Sequence, residues 1–269
     1  MAVDADVSGL TWAVADLNSL ARLIAIVLLG QSQHAARIIT ELEPSSPAFS
    51  DADLVADAKA QMLVNGATEE ERQALRAHRD GFLFECMSWV VARQDSDIRT
   101  FLKDPHIDAT SHGLDGLIIE LHPTDAKIIR ATICEDKCTV NARRLFRQDV
   151  MRTFSEHHSN KRARDLVANA AAIIRETGLN GTDATKAAAR VLKKTVRTYR
   201  AALTTGVLTS PGRTKLFKGF ASLDGINQTQ RIGATFEIDG DLRAWFQSLA
   251  DIVSATLDGF AEEVDEDDV

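Results

Sequence analysis

The stretch that most constrains the fold is residues 112–140, HGLDGLIIELHPTDAKIIRATICEDKCTV, where two β-rich runs flank a segment of turn chemistry. Residues 114–121 and 127–139 are the runs, and His122, Pro123, Thr124 and Asp125 lie between them, the signature of a hairpin. A hairpin turning near residue 125 pairs positions whose numbers sum to about 250, which sets Asp115 beside Glu135. Side chains alternate faces along a strand. Asp115, Leu117, Ile119 and Leu121 therefore share one face, matched by Ile129, Ala131, Ile133, Glu135 and Lys137 on the partner. That face is apolar until the end where Asp115, Glu135 and Lys137 converge.

Burying carboxylates beside an apolar core costs several kcal/mol unless a cation or dense hydrogen bonding compensates. A divalent metal supplies such compensation, and hard oxygen ligands with retained waters suit Mg²⁺. The plainer alternative is that Asp115-Gly116 is a turn and that Glu135 and Lys137 are an ordinary ion pair at a strand end.

The arrangement resembles the PD-(D/E)XK nuclease superfamily, whose signature is an acidic residue near the start of one strand and Glu-x-Lys on the next. Here these are Asp115 and Glu135-Asp136-Lys137. The resemblance implies an α/β fold, a restriction-endonuclease-like mixed sheet flanked by helices, with helical elaborations at both ends. It implies that Asp115 and Glu135, with the backbone carbonyl of Asp136, hold Mg²⁺ or a substituting Mn²⁺, and that Lys137 orients the attacking water or steadies the phosphate charge. Many members add a carboxylate from a helix ahead of the hairpin, and Glu85 is the residue that matches. The implied activity is hydrolysis of phosphodiester bonds in DNA, with RNA also compatible. Some families carry Gln-x-x-x-Tyr on the following helix; here Gln148 is followed by Arg152, a departure from that pattern. The length, the His112-Gly-Leu-Asp115-Gly and Glu135-x-Lys137 elements and Arg231-Ile-Gly233 also look like the nuclease subunit of the Hachiman anti-phage system. That likeness implies a helicase partner, a bacterial cytoplasmic location and a defence role. The alternative function is a catalytically silent nuclease-fold subunit that binds nucleic acid or a protein partner.

The net charge of −8 is unevenly spread. Residues 143–218 hold 17 Lys or Arg against 5 Asp or Glu, net +12, leaving −20 for the rest. This allows a local phosphate-binding surface on an acidic chain. Residues 141–176 read as one long or broken helix, which would direct Arg143, Arg144 and Arg147 at nucleic-acid phosphates. A second helix, from Thr182 to about residue 203, would carry Lys186, Arg190, Lys193, Lys194, Arg197 and Arg200 as a basic face. Solvated helix faces are the alternative for both.

Elsewhere the pattern is mainly helical. Residues 12–42 read as helical segments, residues 51–64 as a helix capped by Ser50 or Asp51, and residues 68–93 as a long helix opened by the capping box Thr68-x-x-Glu71. The last places Leu75, Phe82, Glu85 and Trp89 inward. His112 adjoins the motif and is a weaker ligand candidate. Residues 215–223 and 229–238 read as late strands or as a strand and a turn, the second segment carrying Arg231, and residues 242–261 as an amphipathic helix. The organisation expected is a single domain over residues 1–261 with an acidic tail, EEVDEDDV, at 262–269. Cys86, Cys134 and Cys138 show no metal spacing, Cys134 and Cys138 fit packing roles on the hairpin face opposite Glu135 and Lys137, and a reducing cytoplasm is expected. The longest apolar run, residues 23–29, is short of the roughly 20 residues a bilayer requires, and no export leader is apparent.

Overall fold

The computed structural model describes residues 3–106, 108, 109, 113–125 and 127–267, with side chains described as far as Ala261. The chain runs through β1 (Ser8–Trp12), α1 (Leu17–Leu28), α2 (Ser32–Glu41), α3 (Ala52–Ala60) and α4 (Glu69–Gln94). It continues through β2 (Thr100–Leu102), β3 (Gly116–Leu121), β4 (Ile128–Lys137), α5 (Ala142–Leu145), α6 (Met151–His158), α7 (Ala163–Arg175) and α8 (Gly181–Ala188). β5 (Arg197–Thr205), α9 (Ser210–Leu216), β6 (Arg231–Glu237) and α10 (Leu242–Asp267) complete it. These elements form two compact units. One holds the residues up to Ala13 with Ser96–Lys103 and Gly113–Ile238; the other holds Val14–Asp95, Asp104–His112 and the chain from Asp239 on.

The first unit is a mixed α/β layer built on a six-stranded sheet, ordered β1-β6-β5-β4-β3-β2 and flanked by helices. β1, β6, β5 and β4 are mutually parallel, β3 is antiparallel to β4, and β2 is antiparallel to β3. The hairpin has the expected register: Gly116 faces Cys134, Leu117 faces Ile133 and Ile119 faces Ala131. One expectation fails at its far end. A register shift between Glu120 and Leu121 pairs Leu121 with Ile128, so Ile128 is buried and Ile129 is 45% exposed. The bulge adds one residue to β4, and every side chain on its turn side changes face.

The apolar face carries Leu117, Ile119, Leu121, Ile128, Ala131 and Ile133, continued on β5 by Tyr199, Ala201 and Leu203. Phe146, Phe154, Leu166, Ile173 and Phe217 pack on it from the helical connections. The segment from Asn141 breaks as its polar interruptions require: α5 passes through one π-type turn, Phe146–Val150, into α6, and α7 follows after Asn160 takes a left-handed conformation at φ 61°.

The expected basic helix reaching residue 203 is corrected. Helix ends at Ala188, short 3₁₀ turns follow, and Arg197–Thr205 is β5, a strand paired on both sides. Arg197 is fully buried and donates to the carbonyls of Val191 and His157 and to the Asn160 side chain, so it closes the end of α6 instead of presenting charge to solvent. Lys193 and Lys194 are exposed, and Lys194 pairs with Asp224 at 3.0 Å. Residues 215–223 are helical turns, not a strand, because Thr209 caps α9 with a proline in its first turn. Residues 231–237 do form a strand, and Arg231 donates to the carbonyls of Leu223 and Ile226, a structural clasp. Ser8–Trp12, assigned in part to an N-terminal helix, is the edge strand β1, with Trp12 packed on Phe236.

In the second unit Asp16, Asp51 and Thr68 cap α1, α3 and α4, the last through the expected reciprocal capping box with Glu71. α4 is buried almost all round from Arg79 to Ala92, and α10 contributes Phe246, Leu249, Val253, Leu257 and Phe260 to the same helical core. Asp80, wholly buried, is compensated by Arg79 at 2.9 Å and by Arg243. Among the described residues no helix is long and apolar enough to cross a membrane.

Gly233 offers a direct test of this packing. A Cβ there would lie 2.6 Å from the Phe217 ring. Gly233→Ala is expected to lose about 1–3 kcal/mol by overpacking, measured by urea unfolding, with partial recovery in the Gly233→Ala/Phe217→Leu double variant.

Candidate active site

Because β3 is antiparallel to β4, the residue before β3 stands at the edge where β4 and its parallel neighbours end. Asp115 therefore meets Glu135, Asp136 and Lys137, as their pairing sum requires. The carboxyl ends of strands are where open α/β sheets place their ligands.

Asp115 Oδ2 accepts from the Asp136 amide at 2.9 Å and from Lys137 Nζ at 3.2 Å. The same ammonium lies 2.7 Å from Glu135 Oε1. One buried-edge cation is thus shared by two carboxylates. The Glu135 side chain is 9% exposed, against 21% for Asp115 and 26% for Lys137, so Glu135 is the deepest of the three. Burial, reinforced by the negative charge of Asp115, pushes Glu135 up to about 7 despite the attraction of Lys137. Burial works against the charged form of Lys137, but Asp115 and Glu135 outweigh it and hold the amine above the usual lysine range.

The middle residue of the motif faces the other way. The Asp136 side chain lies 3.7 Å from Arg200 on β5, with both side chains buried. Cys134 shares that face, and burial pushes its thiol up to about 12, the state of an inert packing residue. The N–H and C=O of one strand residue point the same way, so the Asp136 carbonyl, like its amide, is directed toward the Asp115 side of β4. Just past the site, Thr139 and Thr204 exchange hydrogen bonds at 2.7 and 3.0 Å, tying the end of β4 to β5.

Arg143, Arg144, Arg147 and Gln148 are all exposed on the helix that leaves this edge. Glu85 belongs to the helical unit, where it accepts from the His106 amide and ring Nδ1, each at 2.9 Å. His112 lies outside the described residues. Lys193 and Lys194 follow α8, ahead of β5, and Arg197 is buried as described.

Comparison with protein-family models, with curated proteins and with solved structures finds no match. The site therefore stands on its own geometry. Arg200 and the Thr139–Thr204 tie are the parts that sequence patterning missed. Their available signal was the β-rich run Thr198-Tyr199 to Thr204-Thr205, masked by cations at helical spacing upstream.

The residues fit a hard divalent ion. Two carboxylates share a single compensating ammonium, and burial first, then the charge of Asp115, holds Glu135 above the usual carboxylate range, a cost that a bound cation would offset. Asp115, Glu135 and the Asp136 carbonyl are oxygen donors of the kind Mg²⁺ takes. Among the described residues no group of three or more His, Cys, Asp or Glu is placed to hold a metal ion together.

Two outcomes follow from the charges. A folded-state carboxyl raised above its unfolded value of 4.5 contributes stability below that pH and loses it as pH rises through about 7. Glu135→Gln should therefore show a shallower decline than wild type in urea midpoints between about pH 4.5 and 7, a window below the titration of Lys137. Arg200→Met takes the guanidinium from a buried carboxylate and should cost about 3–5 kcal/mol in the same assay, partly restored by adding Asp136→Asn.

Proposed function

We propose that this chain is a Mg²⁺-dependent nuclease that hydrolyses phosphodiester bonds in DNA, with a restriction-endonuclease-like arrangement of its mixed sheet. The observation that carries the reading is the register that delivers Asp115, Glu135 and Lys137 to one strand edge and binds them through a shared ammonium. Asp115, Glu135 and the Asp136 carbonyl would hold the metal, Mg²⁺ or Mn²⁺. When bound, it supplies a lowered pKa for a coordinated water and neutralises charge on the phosphate. Glu85, the helical carboxylate that the resemblance adds to this set, accepts from His106 within the helical unit.

The chain's own contributions are positional and electrostatic. The Asp136 amide fixes the Asp115 carboxylate, so one ligand is oriented before any substrate arrives. Lys137, held between two carboxylates, keeps its proton and can donate to a water or to a phosphate oxygen. Arg143, Arg144 and Arg147 follow directly and offer paired donors to the flanking backbone. The wider assignment, an effector of an anti-phage complex with a helicase partner in the bacterial cytoplasm, rests on the family resemblance alone.

The test is Mg²⁺-dependent cleavage of linear, circular and single-stranded DNA and of RNA by the full chain beside Glu135→Ala and Lys137→Ala. Both variants should keep the wild-type circular dichroism and lose cleavage by about 10²-fold or more. Cleavage unaltered by either substitution would end the reading, and no cleavage by wild type would favour the silent binding subunit.

A further inference from the structure

The two units differ in how their cations are used. By sequence the sheet unit holds 23 Lys or Arg against 15 Asp or Glu, net +8, and the helical unit 8 against 24, net −16. In the helical unit the cations are spent internally: Arg37 on Glu41 and Glu43, Lys59 on Asp258, Arg72 and Arg76 on Glu69, and Arg79 and Arg243 on Asp80. In the sheet unit Arg143, Arg144, Arg147, Lys215 and Lys218 are exposed and form no ion pair among the described residues. Their charge is directed at solvent, where it acts on a mobile partner.

These five are also brought together. α5 packs against α9, and Phe146 meets Phe217 edge-on with ring centroids 5.3 Å apart. Arg147 follows the first ring in the chain and Lys218 follows the second. α5 begins just past β4 and α9 just past β5, two parallel strands, so both helices start at the sheet edge that carries Lys137. Among the described residues the one aromatic that counts as an exposed large hydrophobic side chain is Phe49, and it belongs to the helical unit. The cationic elements therefore bring no stacking platform for unpaired bases, the feature that single-strand binders use.

We propose that Lys215 and Lys218 join Arg143, Arg144 and Arg147 in one face that grips the phosphate backbone of duplex DNA without reading its bases. This deepens the nuclease reading and rests on it for the position of the face beside the site. It also revises which cations do the work: Arg197 and Arg200, on the basic stretch apparent in the sequence, are buried in the sheet, and α9 supplies the missing positive charge.

The test is fluorescence anisotropy of a labelled duplex of about 20 base pairs with the full chain in EDTA, over a KCl series. Binding is thereby separated from cleavage and from the metal. Lys215→Gln/Lys218→Gln and Arg144→Gln/Arg147→Gln should each reduce the slope of log K against log salt by about 1.8, close to 0.9 for each phosphate no longer neutralised. Lys161→Gln is the control, since Lys161 is exposed at the far end of the sheet, beside the Asn160 that Arg197 holds at the start of β5. An unchanged slope in the lysine variant would remove α9 from the face. Absence of duplex binding by wild type at low salt would overturn the proposal outright, and tighter binding of single-stranded DNA or of duplex RNA would overturn its choice of ligand. None of these results touches the cleavage assay, so the face and the nuclease assignment fail separately.

Discussion

The register of the β3–β4 hairpin is the constraint on which the rest of the sheet unit depends. Side chains alternate with a period of two, so a slip of one residue would exchange the two faces of the strand. A slip of β4 would take Ala131 and Ile133 off the face they share with Leu117 and Ile119, and Glu135 and Lys137 away from Asp115. The burial of four aliphatic side chains and the meeting of three ionisable ones are therefore one event. The apolar side of this coupling is worth several kcal/mol, at roughly 1.5–3 kcal/mol per large aliphatic residue fully buried. That is the scale needed to hold two carboxylates at a half-dry edge around a single ammonium.

The parallel strands extend the same logic sideways. β5 lies against β4 in a register that puts Arg200 diagonally beside Asp136, and the Thr139–Thr204 exchange pins the two strand ends. The face behind the site is thus polar yet buried, with Thr132, Thr198, Arg200 and Thr204 all under a tenth exposed. The motif Glu-Asp-Lys splits between the two faces: its outer residues are offered to the edge and its middle residue anchors the strand from behind. A small hydrophobic residue at position 136 would pack there, but it would supply no charge to hold Arg200.

How far the chain could be read in advance follows from which signals were local. Turn chemistry at His122 to Asp125 and strict alternation on either side gave the hairpin and, through it, the meeting of Asp115, Glu135 and Lys137. The capping box at Thr68 marked a helix start to the residue. β5 was not legible because Lys186 to Arg200 repeat at three- and four-residue spacing, a helical pattern that tertiary pairing overrides. Burial of two arginines in a strand, Arg197 bonded to carbonyls and Arg200 ion-paired with Asp136 at 3.7 Å, can be recognised only once the partners are in place. β1 and α9 were lost for the opposite reason, being too short to build a period. The same holds for Ile129, displaced outward by a bulge that has no composition of its own.

That bulge also separates the hairpin into two mechanical regimes. Between Glu120 and the turn, the strands are held by Arg99, which donates to the carbonyls of His122 and Asp125, each at 2.7 Å. On the other side the ladder runs without interruption to the ionisable edge. Changes of length at the tip can be absorbed at a place where the pairing is already irregular, leaving the edge unmoved. The hairpin tip is consequently the natural position for sequence drift among related chains, and for an engineered insertion such as a label or an affinity handle.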